Sequence, residues 1–383
     1  MGDAPELDVV AVDVGREADQ RWDELETACR LPADLYDRLA ESGAFCQMVP
    51  SEHGGGGRTP LAWFDLGVTV ASHSGSLGWI VTQGNALLTS AVVVADPGLR
   101  DELCGVPGVR IAGANTALGV IHSAGDRFEL TGRWPFASGC EGADWLVGIG
   151  APEGSRDRSE VRYVYAPASE MRIDRDWDTL GLRGTGSHSI VTDAVRCRAD
   201  QLVQFSGEPQ LDHPISIAAA RYGPWLISTS VAATQLGIAR RAIDEVTTIV
   251  QTKAPPPLFE PLSQSQSAQR TLGNLNGRWN ALSGAVRDAL GAMWDSGCQG
   301  IEPTLDQRCN LAVANHLANA GSVEIVAEAW KLAGTSGLAR SHPLARCVRD
   351  VQPLLGHVSA NERILDFAEQ ARRTGEPPPI PIV

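Results

Sequence analysis

From about residue 214 to about residue 371 the apolar residues recur at helical spacing, and this constrains the fold more than any other feature of the chain. Four long helical segments can be read there, at 216–250, 264–296, 305–333 and 342–371. The break KAPPPLFEP (253–261) cannot continue a helix, because proline offers no N–H and its ring clashes with the preceding turn. Helices with one apolar stripe must bury it, and four of similar length joined by short links do so as an up-and-down bundle. The tail TGEPPPIPIV is too proline-rich to extend the last of them.

Ahead of that half the pattern differs twice. LPADLYDRLAESGAF (31–45) is helical and ends near Gly43. A loop, PSEHGGGGRTP (50–60), leads into a small-residue helix through FDLGVTVASHSGSLGWIVTQGNALL (64–88). Between about 106 and 205 the period becomes that of strands. DRFELTG, DWLVGIGA, VRYVYAP and SHSIVTDAV are short and rich in β-branched and aromatic residues, and turns such as SAGD and PEGSRD separate them. The expected architecture is α+β. It has an N-terminal helical domain (1–105), a middle antiparallel β domain (106–205) and a C-terminal four-helix bundle (206–383). A chain of 383 residues exceeds what one core usually holds.

The formal net charge of −14, with no basic stripe, argues against a nucleic-acid partner. No run approaches the roughly 18 apolar residues of a membrane span. The start, MGDAPELDVV, has an acidic flank and no apolar signal region, so a cytoplasmic protein without a membrane partner is expected. Eight scattered cysteines without a CxxC pair read as reduced, mostly buried thiols. Eight separated histidines without HExxH give no metal site. GGGG (54–57) and GTGS (184–187) lack the strand–glycine–helix spacing of a dinucleotide fingerprint, and HSGSLG (73–78) lacks that of a hydrolase elbow.

Four stretches remain. GRWPFASGCEGADW (132–145) sets an aromatic, small residues, a hydroxyl and a glycine at a strand end, a combination that suits a flat aromatic ligand. WDTLGLRGTGSHSIVTDAV (177–195) brings Trp177 and hydroxyls between glycines. AGTSGL (333–338) breaks two helices and exposes backbone amides. RCVRDVQPLLGHVSANERIL (346–365) carries Pro353 and Gly356 ahead of one histidine, His357. Pro353 predicts a kink there, and Gly356 leaves room for a close ligand. On periodicity alone His357 falls roughly 140° from the stripe Leu344, Val348, Val351, Leu355 and Val358, on a solvent side.

In this order the stretches resemble the acyl-CoA dehydrogenase superfamily, over nearly the whole chain. The resemblance implies a flavin between the β domain and the bundle. Phe136, Ala137, Ser138, Gly139, Trp177, Arg183 and Thr185 would lie at the flavin, with the Ser138 hydroxyl near N5. Gly334, Thr335, Ser336 and Gly337 would reach the flavin of a neighbouring subunit in a homotetramer.

One departure decides the branch. Many dehydrogenases follow the Arg-Asp pair with a Tyr-Glu-Gly motif whose glutamate is the base. Here QPLLGHVSANE follows Arg349-Asp350, with His357 seven residues after Asp350. That pattern is similar to two-component flavin-dependent monooxygenases, such as the 4-hydroxyphenylacetate hydroxylase oxygenase component, steroid-ring phenol hydroxylases and dibenzothiophene monooxygenase. The resemblance implies reduced flavin (FADH2 or FMNH2) supplied by a separate flavin reductase, O2 as co-substrate, and oxygen transfer from a C4a-hydroperoxyflavin to a small aromatic or heterocyclic substrate. The absence of an NAD(P)H fingerprint agrees with reduction on another protein. Carried over by position, the catalytic residues are His357, Ser138 and Asn115, and Trp79, Gln83 and Asn85 line the substrate pocket. An acyl-CoA dehydrogenase with a relocated base, an amine N-oxygenase of the same fold, and a non-catalytic flavin- or ligand-binding homologue are the alternatives.

Overall fold

The computed structural model describes residues 4–377 apart from 156, 205–207, 209, 220–223 and 257–258; the side chains at 4–6, 115–118, 158 and 224 are also outside the description. Six helices come first: α1 (Ala4–Gln20), α2 (Trp22–Ala28), α3 (Ala33–Glu41), α4 (Pro60–His73), α5 (Gly75–Val94) and α6 (Pro97–Cys104). The single helix expected over 64–88 is two. Ser74 leaves the helical region (φ −146°, ψ 113°), and its hydroxyl caps α5 by accepting the Leu77 N–H at 3.4 Å. Helix α5 is long and apolar enough to cross a membrane by composition, yet almost all of it is buried in the protein's own core. It packs on α4, on the C-terminal half and on the first strand.

The middle region is one seven-stranded sheet of β1 (Ile111–Ala124), β2 (Arg127–Ala137), β3 (Trp145–Pro152), β4 (Arg162–Pro167), β5 (Arg172–Asp174), β6 (His188–Cys197) and β7 (Leu202–Val203), in the order β5-β6-β2-β1-β3-β4-β7. Its pairings are antiparallel except β1 with β3, which run parallel with Ile111 opposite Trp145. Trp134 fills the middle of the sheet, fully buried, and donates its indole N–H to the Ile149 carbonyl at 2.8 Å. Glycines at 119, 132 and 148 make the slot, since a Cβ at any of them would stand within 2.8 Å of that indole. The β2–β6 register shifts between Trp134 and Ala137, which turns the end of β2 out of the regular ladder.

The C-terminal half contains α7 (Pro214–Ala219), α8 (Pro224–Thr252), α9 (Gln266–Cys298), α10 (Leu305–Ala333), α11 (Pro343–Asp350) and α12 (Arg363–Thr374). Ser265 caps α9 and Thr304 caps α10, the latter in a reciprocal pair with Gln307. Helix α8 is central: Val231, Leu236, Ile243 and Val246 on it are buried at 2 % exposure or less. Each such side chain is worth about 1.5–3 kcal/mol in transfer from water.

The fourth helix expected over 342–371 is not one helix. It ends at Asp350, passes through 3₁₀ turns at Pro353–Gly356 and Val358–Ala360, and resumes as α12. Pro353 has no N–H for the Arg349 carbonyl, so that oxygen takes the Gln352 N–H at 3.4 Å instead, and the Val351 carbonyl is held by Gln235 Nε2 from α8 at 3.0 Å. The kink expected at Pro353 is therefore a full interruption, and the angular position assigned to His357 on a helix does not apply.

Helix α11 is tied to its surroundings by buried and half-buried polar contacts. The Asp350 carboxylate accepts the Leu182 N–H at 2.7 Å. Arg346 pairs with Asp19, and Arg349 pairs with Glu26 at 3.0 Å. The sheet's 177–187 loop and the N-terminal helices thus hold the segment that follows α11 in place.

Candidate functional site

Four separate parts of the chain enclose a cavity of about 830 Å³. Helix α5 contributes Trp79, Gln83 and Leu87; the end of β2 contributes Phe136 and Ser138; the 177–187 loop contributes Trp177, Leu182, Thr185 and Ser187. The interrupted segment after α11 contributes Pro353, Gly356, His357 and Asn361. Ala114, Val147 and Ile227 extend the wall, which is largely apolar. No described lining residue is a carboxylate.

A chain of hydroxyls crosses the floor, and its direction follows from its ends. Thr185 Oγ1 lies 2.7 Å from the Leu182 carbonyl, which can only accept, so Thr185 donates there. Thr185 must then accept from Ser187 Oγ (2.7 Å), and Ser187 in turn accepts from Ser138 Oγ (2.7 Å). Trp79 Nε1 donates to Ser138 at 2.8 Å. With its proton committed, Ser138 retains one lone pair as an acceptor. All three hydroxyl residues are buried.

His357 stands between the two 3₁₀ turns in extended backbone (φ −69°, ψ 142°). Its ring packs edge-to-face with the Trp79 indole, with centroids 5.8 Å apart and planes at 71°. Trp79 therefore touches His357 with one part and Ser138 with another. The residue is half-buried, and the loss of water around the ring lowers its pKa from 6.5 to about 4, so the imidazole is neutral at neutral pH. A methyl added at Gly356 would meet no protein atom within 4 Å, so the neighbouring position is open.

At the mouth, Phe136 packs edge-on against Trp177, with centroids 6.0 Å apart. Phe136 has φ +73° and remains 54 % exposed, an uncommon conformation for a bulky residue. Trp177 is fixed by donating its backbone N–H to His188 Nδ1 (3.1 Å) and its indole N–H to the Leu182 carbonyl (3.2 Å).

Of the residues singled out in the sequence, His357, Ser138, Phe136, Trp177, Thr185, Trp79 and Gln83 meet at this one cavity. Gln83 is 7 % exposed. Asn85 does not reach it: two helical residues turn the direction by roughly 200°, and its amide is spent on the Ala44 carbonyl and Thr89. Asn115 falls in β1, and its side chain lies outside the described residues. Ala137 is buried, and Gly139 lies behind the wall, its N–H on the Thr185 carbonyl at 2.8 Å and its carbonyl on the Tyr36 hydroxyl at 3.2 Å. Arg183 is turned toward α2, donating to the Glu26 carbonyl at 2.9 Å and pairing with Asp178. Gly334, Thr335, Ser336 and Gly337 form a 3₁₀ turn after α10 that does not line the cavity. Ser187, Leu182 and Ser359 were not singled out. Ser187 belongs to the hydroxyl run before β6, and a serine two residues after His357 was the available signal for Ser359.

Residues 229–362 match the family model described as "Acyl-CoA dehydrogenase, C-terminal domain". The chain is 27 % identical over 344 residues to "Indole-3-acetate monooxygenase" of Pseudomonas putida, covering 88 % of this chain and 86 % of that one. It is 25 % identical over 345 residues to "Flavin-dependent monooxygenase, oxygenase subunit HsaA" of Rhodococcus jostii strain RHA1, covering 86 % and 88 %. Among solved structures, XiaF from Streptomyces sp. in complex with FADH2 and glycerol superposes with a TM-score of 0.86 at 19 % identity, covering 98 % of each chain. The structural likeness shows a shared fold. The resemblance read from the sequence, to the acyl-CoA dehydrogenase superfamily and its flavin-dependent monooxygenases, holds.

Proposed function

We propose that this chain is the oxygenase component of a two-component flavin-dependent monooxygenase, which takes reduced flavin from a separate reductase and uses O2 to oxygenate a small aromatic or heterocyclic molecule. The observation that carries this reading is the pairing of a neutral histidine with a cavity that has no carboxylate among its described lining residues. Removing an α-proton from an acyl thioester needs a base held as an anion. Directing oxygen transfer needs a dry cavity and a group that hydrogen-bonds to oxygen, and His357 with its apolar surroundings suits the second task.

The residues present fit a flavin. Phe136 and Trp177 offer aromatic surface, and the directed hydroxyl chain leaves Ser138 an acceptor, which suits the ring N–H that only a reduced flavin carries at N5. Ser138, Thr185 and Trp177 would hold the ring, and the bound flavin supplies the two electrons and the activation of oxygen. Trp79 and Gln83 border the space for substrate. The resemblances also support a homotetramer in which the 334–337 turn meets a neighbour's flavin, and Asn115 as a further polar group at substrate. An acidic chain with eight free thiols suits the cytoplasm.

The test is direct. Chemically reduced FAD or FMN, protein and 18O2 are combined with a panel of phenols and indoles, and products are read by mass spectrometry. Incorporation of one 18O atom is expected, with His357→Asn lowering product per reduced flavin on the order of a hundredfold while reduced-flavin affinity changes little. If an acyl-CoA reduces bound oxidised flavin and no aromatic gains 18O, the chain is a dehydrogenase. If neither reaction occurs, the non-catalytic reading replaces both.

A further inference from the structure

Ser359 lies two residues beyond His357, and the turn Val358–Ala360 folds it back against the ring. Both of its donors converge on one atom. The Ser359 backbone N–H reaches His357 Nδ1 at 3.3 Å, and the Ser359 hydroxyl lies 2.5 Å from the same nitrogen. A backbone N–H can only donate, so Nδ1 must offer its lone pair. A neutral imidazole with a bare Nδ1 carries its single proton on Nε2. Ser359 is 3 % exposed, so water does not compete for the contact. The other ring nitrogen, Nε2, belongs to a ring that lines the cavity, and no described residue hydrogen-bonds to it.

We infer that Ser359 is a positioning residue: it holds His357 as the tautomer that presents an N–H to the cavity, so that His357 serves there as a hydrogen-bond donor and not as a base. This rests on the proposed function for its consequence, though not for its geometry. A donor of this kind steadies an acceptor oxygen, whether on the oxygen-bearing reactant or on a phenolate. It cannot take a phenol's proton at Nε2, which is already protonated. A substrate that must lose a proton therefore loses it elsewhere, and substrates without an ionisable hydroxyl, such as indoles and other heterocycles, are served equally well. Trp79 supports the same orientation through its edge-to-face contact with the ring.

The tautomer is readable without flavin or turnover. Protein containing histidine labelled with 15N and 13C in the ring is observed by magic-angle-spinning NMR at neutral pH. The His357 signals are identified by their loss in His357→Asn. The expected spectrum has a protonated nitrogen bonded to Cδ2, which is Nε2, and a bare nitrogen at Nδ1. Ser359→Ala, which keeps the backbone N–H and removes the hydroxyl, is expected to add the Nδ1–H form, and Ser359→Thr to remove it again. A proton on Nδ1 in the unsubstituted protein overturns the inference outright. A spectrum unchanged in Ser359→Ala overturns the role of the Ser359 side chain. Because no flavin is present, a protein that proved unable to bind reduced flavin would sink the monooxygenase reading and leave this result intact.

Discussion

Two groups seven residues apart, Asp350 and His357, pull the stability of this protein in opposite directions with pH, and separating them tests how the segment between them is buried. In an unfolded chain the histidine binds its proton near pH 6.5, but the folded protein accepts it only near pH 4, because burial disfavours the charged ring. Between those values the unfolded state holds the extra proton, so stability falls as pH drops from 6.5 to about 4. At about 1.4 kcal/mol per pH unit this amounts to roughly 3 kcal/mol, an upper bound because water entering the cavity screens the ring. Asp350 behaves the other way. Burial raises its carboxyl from 3.8 to about 6, against the Leu182 N–H and Arg346, which lower it. Its contribution is complete below pH 3.8 and lost as pH rises through about 6, again on the order of 3 kcal/mol. Over the shared window the two slopes nearly cancel. His357→Asn is expected to leave a protein that loses stability from pH 4 to 6 relative to the unsubstituted chain. Asp350→Asn, which keeps an acceptor for the Leu182 N–H, is expected to leave one that gains it. Urea unfolding followed by tryptophan fluorescence, at several pH values and equal protein concentration, gives the two difference curves, in which the remaining acidic groups drop out. A His357→Asn difference that is flat with pH would refute the burial of a neutral ring.

Three further substitutions probe how the cavity is assembled. Gly181→Ala would bring a Cβ to 2.2 Å from the Arg349 carbonyl, backbone against backbone, so it is expected to lower stability by about 1–3 kcal/mol and weaken flavin binding, read by thermal unfolding and fluorescence titration. Thr185→Val removes the acceptor that sets the direction of the hydroxyl chain. The ratio of reduced-flavin to oxidised-flavin affinity is expected to fall, by about 1 kcal/mol or roughly fivefold, and an unchanged ratio counts against an oriented chain. Trp79→Phe keeps most of the packing on His357 but removes the N–H given to Ser138. Hydrogen peroxide released per reduced flavin is expected to rise, with a stability cost of about 1 kcal/mol, and tight coupling in this variant would remove Trp79 from the oxygen chemistry.

Local pattern fixed the elements whose cause is local. Apolar spacing was enough to read α9 and α10, and the caps that the structure shows at Ser265 and Thr304 fall at those ends, because helical periodicity and capping are decided within a few residues. The alternating segments of the sheet were legible for the same reason. Ser74 was not, since mostly small and apolar residues on both sides hide one cap inside an apparent helix. The cavity lay further from reach. Ser138 and Ser187 are 49 residues apart in sequence, and only the β2–β6 pairing with its register shift brings their hydroxyls together. Asp350 and Leu182 are separated by 168 residues, yet one hydrogen bond between them sets the bundle against the sheet. His357 shows the division most clearly. The sequence alone placed a proline, a glycine and a histidine within the last helical stretch, where a glutamate motif is missing, and so gave reason to expect a kink there. Which way the histidine faces depended on where the helix stopped, which carbonyls found partners on α8, and which turn returned Ser359 to the ring. Those are contacts between distant parts of the chain, and no periodicity within a single segment encodes them.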